Sequence, residues 1–187
     1  YAGAEEFWRT YVSSGPRTGI AHGLPTNRKL ETGDLVMIDI HPMVNGYSSD
    51  ICRTVCVGKP ATEQQSAYDL YLKAQQASIA KVKAGIGMVE LGEIMHGIMR
   101  EGGHGDHIFG PPIHGIGIDF EESPLPPGHA FFHGEKEPPP LPANVVIAIG
   151  NCGLYTDGWG VRVEDTVVVG DDGPIVLTAF PYSLTIR

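Results

Sequence analysis

The chain has 187 residues and a 42% hydrophobic content, enough for one domain to bury a core without disulfides or metals as props. Its 25 Gly and 15 Pro fall short of a low-complexity composition, and no apolar run is long enough to span a bilayer. The 13 Lys plus Arg against 22 Asp plus Glu leave a net charge of −9 with no basic run, which repels a phosphate backbone and argues against a nucleic-acid partner.

The opening YAGAEEFWRT lacks the basic region and apolar core of a signal peptide. Because it starts at Tyr1 and runs into the turn-rich SSGPRTGIAHGLPTNR, the chain is expected to begin inside a larger unit. From Gly33 the pattern turns strand-like, with LVMIDI, MVNGYSSD and ICRTVCV forming a β-meander around Asn45-Gly46, a pair suited to the positive φ of a tight hairpin. Thr62 opens a helix with Tyr68, Leu72, Ile79 and Val82 on one face, broken by Gly85 and Gly87. A second helix turns Leu91, Ile94, Met95 and Ile98 inward and stops at Gly102-Gly103. Pro-rich stretches at 124–127 and 138–142 flank a polar loop, after which NVVIAI, VRVEDTVVV and PIVLT read as strands. Strands, two helices and strands again predict one α+β domain over 1–187 with a curved antiparallel sheet. Cys52, Cys56 and Cys152 make an odd count without a CxxC pair, which fits a reducing cytoplasm.

The chemistry is concentrated in MIDIHPMVNGYSSDICRT, which sets Asp39 and Asp50 in adjacent apolar strands. If Asn45-Gly46 are the central residues of the turn, Asp39 faces Cys52, and Asp50 lies two residues from Cys52 on the same face. The two carboxylates are then diagonal neighbours about 7–8 Å apart at Cα, whereas an odd-length loop or a bulge would send them to opposite faces. Two carboxylates on an inner face repel and are poorly solvated, so a cation between them is the natural remedy. An exposed Asp50–Arg53 pair is the competing arrangement. His114 sits in PIHGIGIDFEESP, between two prolines and two glycines, and Glu164 shares one face of GVRVEDTVVV with Arg162. For the histidine a buried, satisfied ring, and for Arg162 and Glu164 a solvent-facing ion pair, are the alternatives. Together Asp39, Asp50, His114 and Glu164 suit Mn, Fe, Co or Zn in a hydrolase.

These ordered motifs, SGPRTGIAHGLPTNRKLETGDLVMIDI, GYSSDICRT, HGIGIDFEESP and GVRVEDTVVV, give a chain that resembles the pita-bread, or creatinase-like, family from about residue 3 to 178. That family includes methionine aminopeptidase, aminopeptidase P, prolidase and creatinase. The resemblance implies a pita-bread fold whose N-terminal helices are missing here, with Asp39, Asp50, His114 and Glu164 as metal ligands. It also implies that His22 contacts substrate and that Arg162 matches an arginine of the proline-directed branch. Two positions depart from the pattern. Gly150 stands where the family has a fifth ligand, a Glu. Glu121 stands where the peptidases usually carry a histidine that stabilises the tetrahedral intermediate, and an anion there opposes an oxyanion. Glu122, the next residue, is a further candidate for orienting groups or moving a proton.

One divalent ion rather than two is therefore expected, the second position being weakened by Gly150 or rebuilt with Glu121, Asp119 or Cys152. The implied activity is that of an Xaa-Pro dipeptidase or aminopeptidase acting on a peptide, with no nucleic-acid or membrane partner and with a homodimer allowed by the relatives. The alternatives are a creatinase-like hydrolase of a small non-peptide amide or guanidine, and an inactive module that binds peptides or proteins.

Overall fold

The computed structural model describes residues 3–6, 10–125 and 138–185. In chain order the strands are β1 (Glu5–Glu6), β2 (Tyr11–Ser14), β3 (Leu35–Ile40), β4 (Pro42–Val44), β5 (Tyr47–Ser48) and β6 (Ile51–Cys56). Helices α1 (Thr62–Ile79) and α2 (Met88–Glu101) come next. They are followed by β7 (Ile108–Phe109), β8 (Ile113–Gly115), β9 (Val146–Ile149), β10 (Gly153–Tyr155), β11 (Gly160–Val161), β12 (Asp165–Val169) and β13 (Pro174–Val176). The predicted polar loop lies outside the described residues.

The hairpin register is the predicted one. Asn45 and Gly46 take φ of 53° and 82°, the positive values a tight hairpin turn demands, and Asp39 pairs with Cys52. β2, β3 and β6 form one antiparallel sheet, and β8, β9, β12 and β13 form another. Between β6 and the chain entering β12, the two sheets are laced in a second register. Cys52 and Glu164 exchange backbone hydrogen bonds of 3.3 and 3.0 Å, the Thr54 hydroxyl bonds both backbone groups of Arg162, and the Thr166 hydroxyl bonds both backbone groups of Asp50. Threonine hydroxyls thus satisfy polar backbone that the diverging strands no longer pair.

GVRVEDTVVV is not one continuous strand, as its apolar pattern suggests. It breaks between Val161 and Asp165, because the lacing to β6 bends it where Arg162 and Glu164 turn inward. Helix α1 buries Tyr68 and Ile79 as expected, but Tyr71 is fully buried where Leu72 is only partly so, the Tyr71 hydroxyl sharing its proton between the carbonyls of Gly150 and Cys152. Val82 is buried but lies past the end of α1. In α2, Leu91, Met95 and Met99 are fully buried while Ile94 and Ile98 are half-buried.

Ile79, Met88 and Leu91 cluster with Ile113, Ile147, Ile149, Val167 and Val169, all odd positions of β8, β9 and β12. Side chains alternate along a strand, so the helices cover one face of this sheet and leave the even positions, His114, Ala148 and Thr166, to the other.

Candidate metal centre

Pairing partners in an antiparallel sheet point to the same face, so the register places every candidate ligand. One row reads Asp39, Cys52, Glu164 across β3, β6 and the entry to β12. The next row reads Asp50, Thr166, Ala148, His114 across to β8. On a flat sheet Asp50 and His114 would be three strand spacings, about 14 Å, apart. His114 Nε2 instead lies 3.5 Å from Asp50 Oδ2 and 3.8 Å from Glu164 Oε1, so the sheet curls sharply and its concave face gathers these side chains.

Two groups of ligand atoms result, each within 4.8 Å: Asp39, His41 and Asp50, and Asp50, His114 and Glu164. All of these residues are buried, and Asp50 belongs to both groups. Asp39 Oδ1, both oxygens of Asp50 and Glu164 Oε1 are buried with no hydrogen bond among the described residues. Carboxylate oxygens so placed are costly unless a cation meets them, and a donor set of carboxylates and imidazoles fits a divalent transition ion. The His114 Nδ1 lies 2.9 Å from the Gly115 carbonyl, which can only accept, so the neutral ring carries its proton there and turns its Nε2 lone pair to the centre.

Arg162 is the fixed cation of the site, 1% exposed. Its Nη1 donates to Asp39 Oδ2 at 2.9 Å, and its Nη2 donates to Glu164 Oε2 and, at 3.2 Å, to Asn151. It ties down the outer oxygens of two carboxylates and leaves Asp39 Oδ1 and Glu164 Oε1 aimed inward. Burial pushes the Glu164 carboxyl up to about 8 against the pull of Arg162, with Asp50 and Asp39 adding to the rise. Burial alone would raise Asp50 as well, yet His114 and His41 outweigh it and hold its pKa below the usual range.

His41 is the residue that sequence reasoning passed over. It is 2% exposed, with Nε2 3.4 Å from both Asp39 Oδ1 and Asp50 Oδ1. Burial opposes its charging, but the two carboxylates prevail and push its pKa up to about 10. The signal was available: His41 lies two residues past Asp39 and therefore on the same face. Arg53, the competing partner for Asp50, pairs with Asp165 at 2.7 Å instead.

The remaining candidates lie outside both groups. His22 stands exposed with φ of 55°, its ring stacked on Tyr11 at 4.7 Å. Loss of hydration lowers its pKa, with Arg162 as the second cause, while Asp39, Asp50 and Glu121 oppose. Glu122 accepts from the Asp119 backbone N–H at 3.0 Å and so braces its own loop. Among the described residues neither ligand group includes Glu121, Asp119 or Cys152.

Gly150 lies opposite Glu164 when the β9–β12 register is continued by one step. It has φ of 115°, and an added Cβ would sit 2.0 Å from the Val163 carbonyl oxygen, so no side chain fits. Gly150→Glu, which would restore the glutamate that the resemblance implies at this position, is expected to unfold the protein, and Gly150→Ala to cost at least about 3 kcal/mol, both read by thermal unfolding. Wild-type stability in either variant would refute this reading of the glycine.

Comparison with known proteins places the chain in a family. The model of metallopeptidase family M24 matches residues 2–171. The chain belongs to that family. The M24 chain is 35% identical over 170 residues to an Xaa-Pro dipeptidase of Pyrococcus furiosus, covering 90% of this chain and 47% of that protein. An Xaa-Pro dipeptidase of Lactobacillus helveticus is 33% identical, with 90% and 44% covered. Among solved structures, prolidase from Pyrococcus furiosus superposes with a TM-score of 0.84 at 34% identity, covering 93% of this chain and 50% of that one. The X-Pro aminopeptidase of Thermotoga maritima gives 0.87 at 31% identity, with 98% and 50% covered. The curved antiparallel sheet with its helices is accordingly a pita-bread fold, and the M24 chain spans about half the length of these relatives.

Proposed function

We propose that the protein is a metal-dependent peptidase of the prolidase or aminopeptidase P type, cleaving the bond between an N-terminal residue and proline. The observation that carries this is the convergence of Asp39, Asp50, His114 and Glu164 on one concave face, with inward carboxylate oxygens left to a cation. The names of the relatives supply the substrate class.

An ion of the Mn, Fe, Co or Zn group bound there supplies Lewis-acid polarisation of a carbonyl and acidification of a water. The chain's own groups do the rest. Arg162 keeps Asp39 and Glu164 oriented, the Gly115 carbonyl keeps His114 in its ligating tautomer, and exposed His22 meets substrate. Phe120, 4.4 Å from His41 and 5.7 Å from His114 between ring centroids, limits water around the ligands.

One tightly held ion per chain is proposed, because Gly150 brings no donor to the side of Glu164 and His114. The reading extends to the cytoplasm, supported by three free, buried cysteines, and to a homodimer on the strength of the resemblance. No helix among the described residues is long and apolar enough to cross a membrane.

The test is elemental analysis of purified protein followed by release of amino acid from Ala-Pro and Ala-Ala, before and after chelation. We expect one ion, hydrolysis of Ala-Pro only, and loss of activity on chelation that returns with Mn, Co or Zn. Protein without metal or Ala-Pro hydrolysis would defeat the proposal. Gly150 and the Glu121 carboxylate favour as second reading a hydrolase of a small non-peptide amide, which turnover of creatine in a parallel assay would support.

A further inference from the structure

We propose that His41 is a metal ligand, completing with Asp39 and Asp50 a position of one imidazole nitrogen and two carboxylate oxygens that holds the tightly bound ion. The inference rests on the metal-dependent reading above and says which side of the centre carries the ion. Two donors each about 2.1 Å from one ion, at the tetrahedral angle, lie about 3.4 Å apart. That is the spacing of His41 Nε2 from Asp39 Oδ1 and from Asp50 Oδ1. The three residues are 2%, 2% and 0% exposed.

The backbone explains why the donors meet. Continuing the β3–β6 register by one step sets His41 opposite Asp50, and Asp39 two residues back shares its face. Arg162 already holds Asp39 Oδ2, so Oδ1 is the oxygen left for an ion. The imidazole is walled edge-on by Tyr11 at 5.8 Å and Phe120 at 4.4 Å, which limits its ring to few orientations.

In the other group His114 Nε2 lies 3.5 Å from Asp50 Oδ2 and 3.8 Å from Glu164 Oε1, and Gly150 opposite Glu164 brings no side chain to add a donor. His41 therefore gives the Asp39 side a nitrogen donor, and a nitrogen donor shifts preference toward Zn and Co over Mg and Mn.

Calorimetric titration of metal-free wild type, His41→Ala, His41→Asn and His114→Ala with Zn²⁺ and Co²⁺ tests this, with the visible spectrum of the Co²⁺ form as a second readout and circular dichroism as the folding control. The expected result is one tight site in wild type, weakened at least about 10- to 100-fold in both His41 variants and less in His114→Ala. The Co²⁺ bands should shift in the His41 variants. His41→Asn keeps a polar group of similar reach, so it reports on ligation should His41→Ala fail to fold. Unchanged affinity and spectrum in the His41 variants overturn the inference alone. Tighter binding in them also overturns it, identifying His41 as an imidazolium that competes with the ion for the carboxylates. Wild type that binds neither ion would sink the metal-dependent function as well.

Discussion

Asp50→Ala should abolish retention of the metal and lower kcat/KM for an Xaa-Pro dipeptide by about 10³-fold or more, equivalent to about 4 kcal/mol of lost transition-state stabilisation. Asp50 is the one carboxylate shared by both ligand groups, with Oδ1 toward His41 and Oδ2 toward His114. Removing it takes a donor from every ion the centre could hold and leaves two buried imidazoles without their common anion. The fold should survive, because Asp50 is stitched into the sheet through its backbone N–H and carbonyl to the Thr166 hydroxyl, and alanine keeps both. Asp50→Asn keeps the shape and removes only the charge, so it should lose metal without any change in circular dichroism. Steady-state kinetics with metal analysis decides the matter, and a kcat/KM within tenfold of wild type would contradict the placement of Asp50.

Arg162→Met should destabilise the metal-free protein by about 3–5 kcal/mol, the range for breaking a buried ion pair from one side. The side chain is 1% exposed and forks between Asp39 and Glu164. Without it, only His41 and His114 remain to offset Asp39, Asp50 and Glu164 in a medium that solvates them poorly, and the Glu164 carboxyl, already pushed up to about 8 by burial and its acidic neighbours, would rise further. The fault lies in charge rather than backbone, since the Arg162 N–H and carbonyl keep their bonds to Thr54. A divalent ion should therefore recover part of the loss, and urea unfolding with and without Zn²⁺ should show a larger deficit in the metal-free form. Arg162→Lys should fall between, because a point charge cannot fork to two carboxylates. A deficit below about 1 kcal/mol, or one indifferent to metal, would mean that the guanidinium does not neutralise the centre.

Much of the fold and the site could be read from residues in order. Asn45-Gly46 determined the hairpin, and with a period of two the hairpin determined that Asp39 and Asp50 share a face. Glu164 stood out as a charge on an apolar strand, and Gly150 only through the family resemblance. His41 could also have been found, since alternation from Asp39 points to it, but a histidine before a proline at the end of a strand carries no local sign of burial.

What linear order could not carry were relations between distant strands. The register of 52 with 164 depends on two threonine hydroxyls crossing between sheets, and no short-range pattern encodes a pairing of residues more than a hundred positions apart. Curvature is likewise collective: it brings His114 to within 3.5 Å of Asp50 across strands that a flat sheet would hold far apart. The burial of Arg162 follows from both, and so does the exclusion of any side chain at position 150, where the Val163 carbonyl occupies the space. Sequence thus determined which donors exist and which face each takes within its own hairpin. Packing of one sheet against the next decided which of them meet, because only the closed surface sets distances between strands that are not neighbours in the chain.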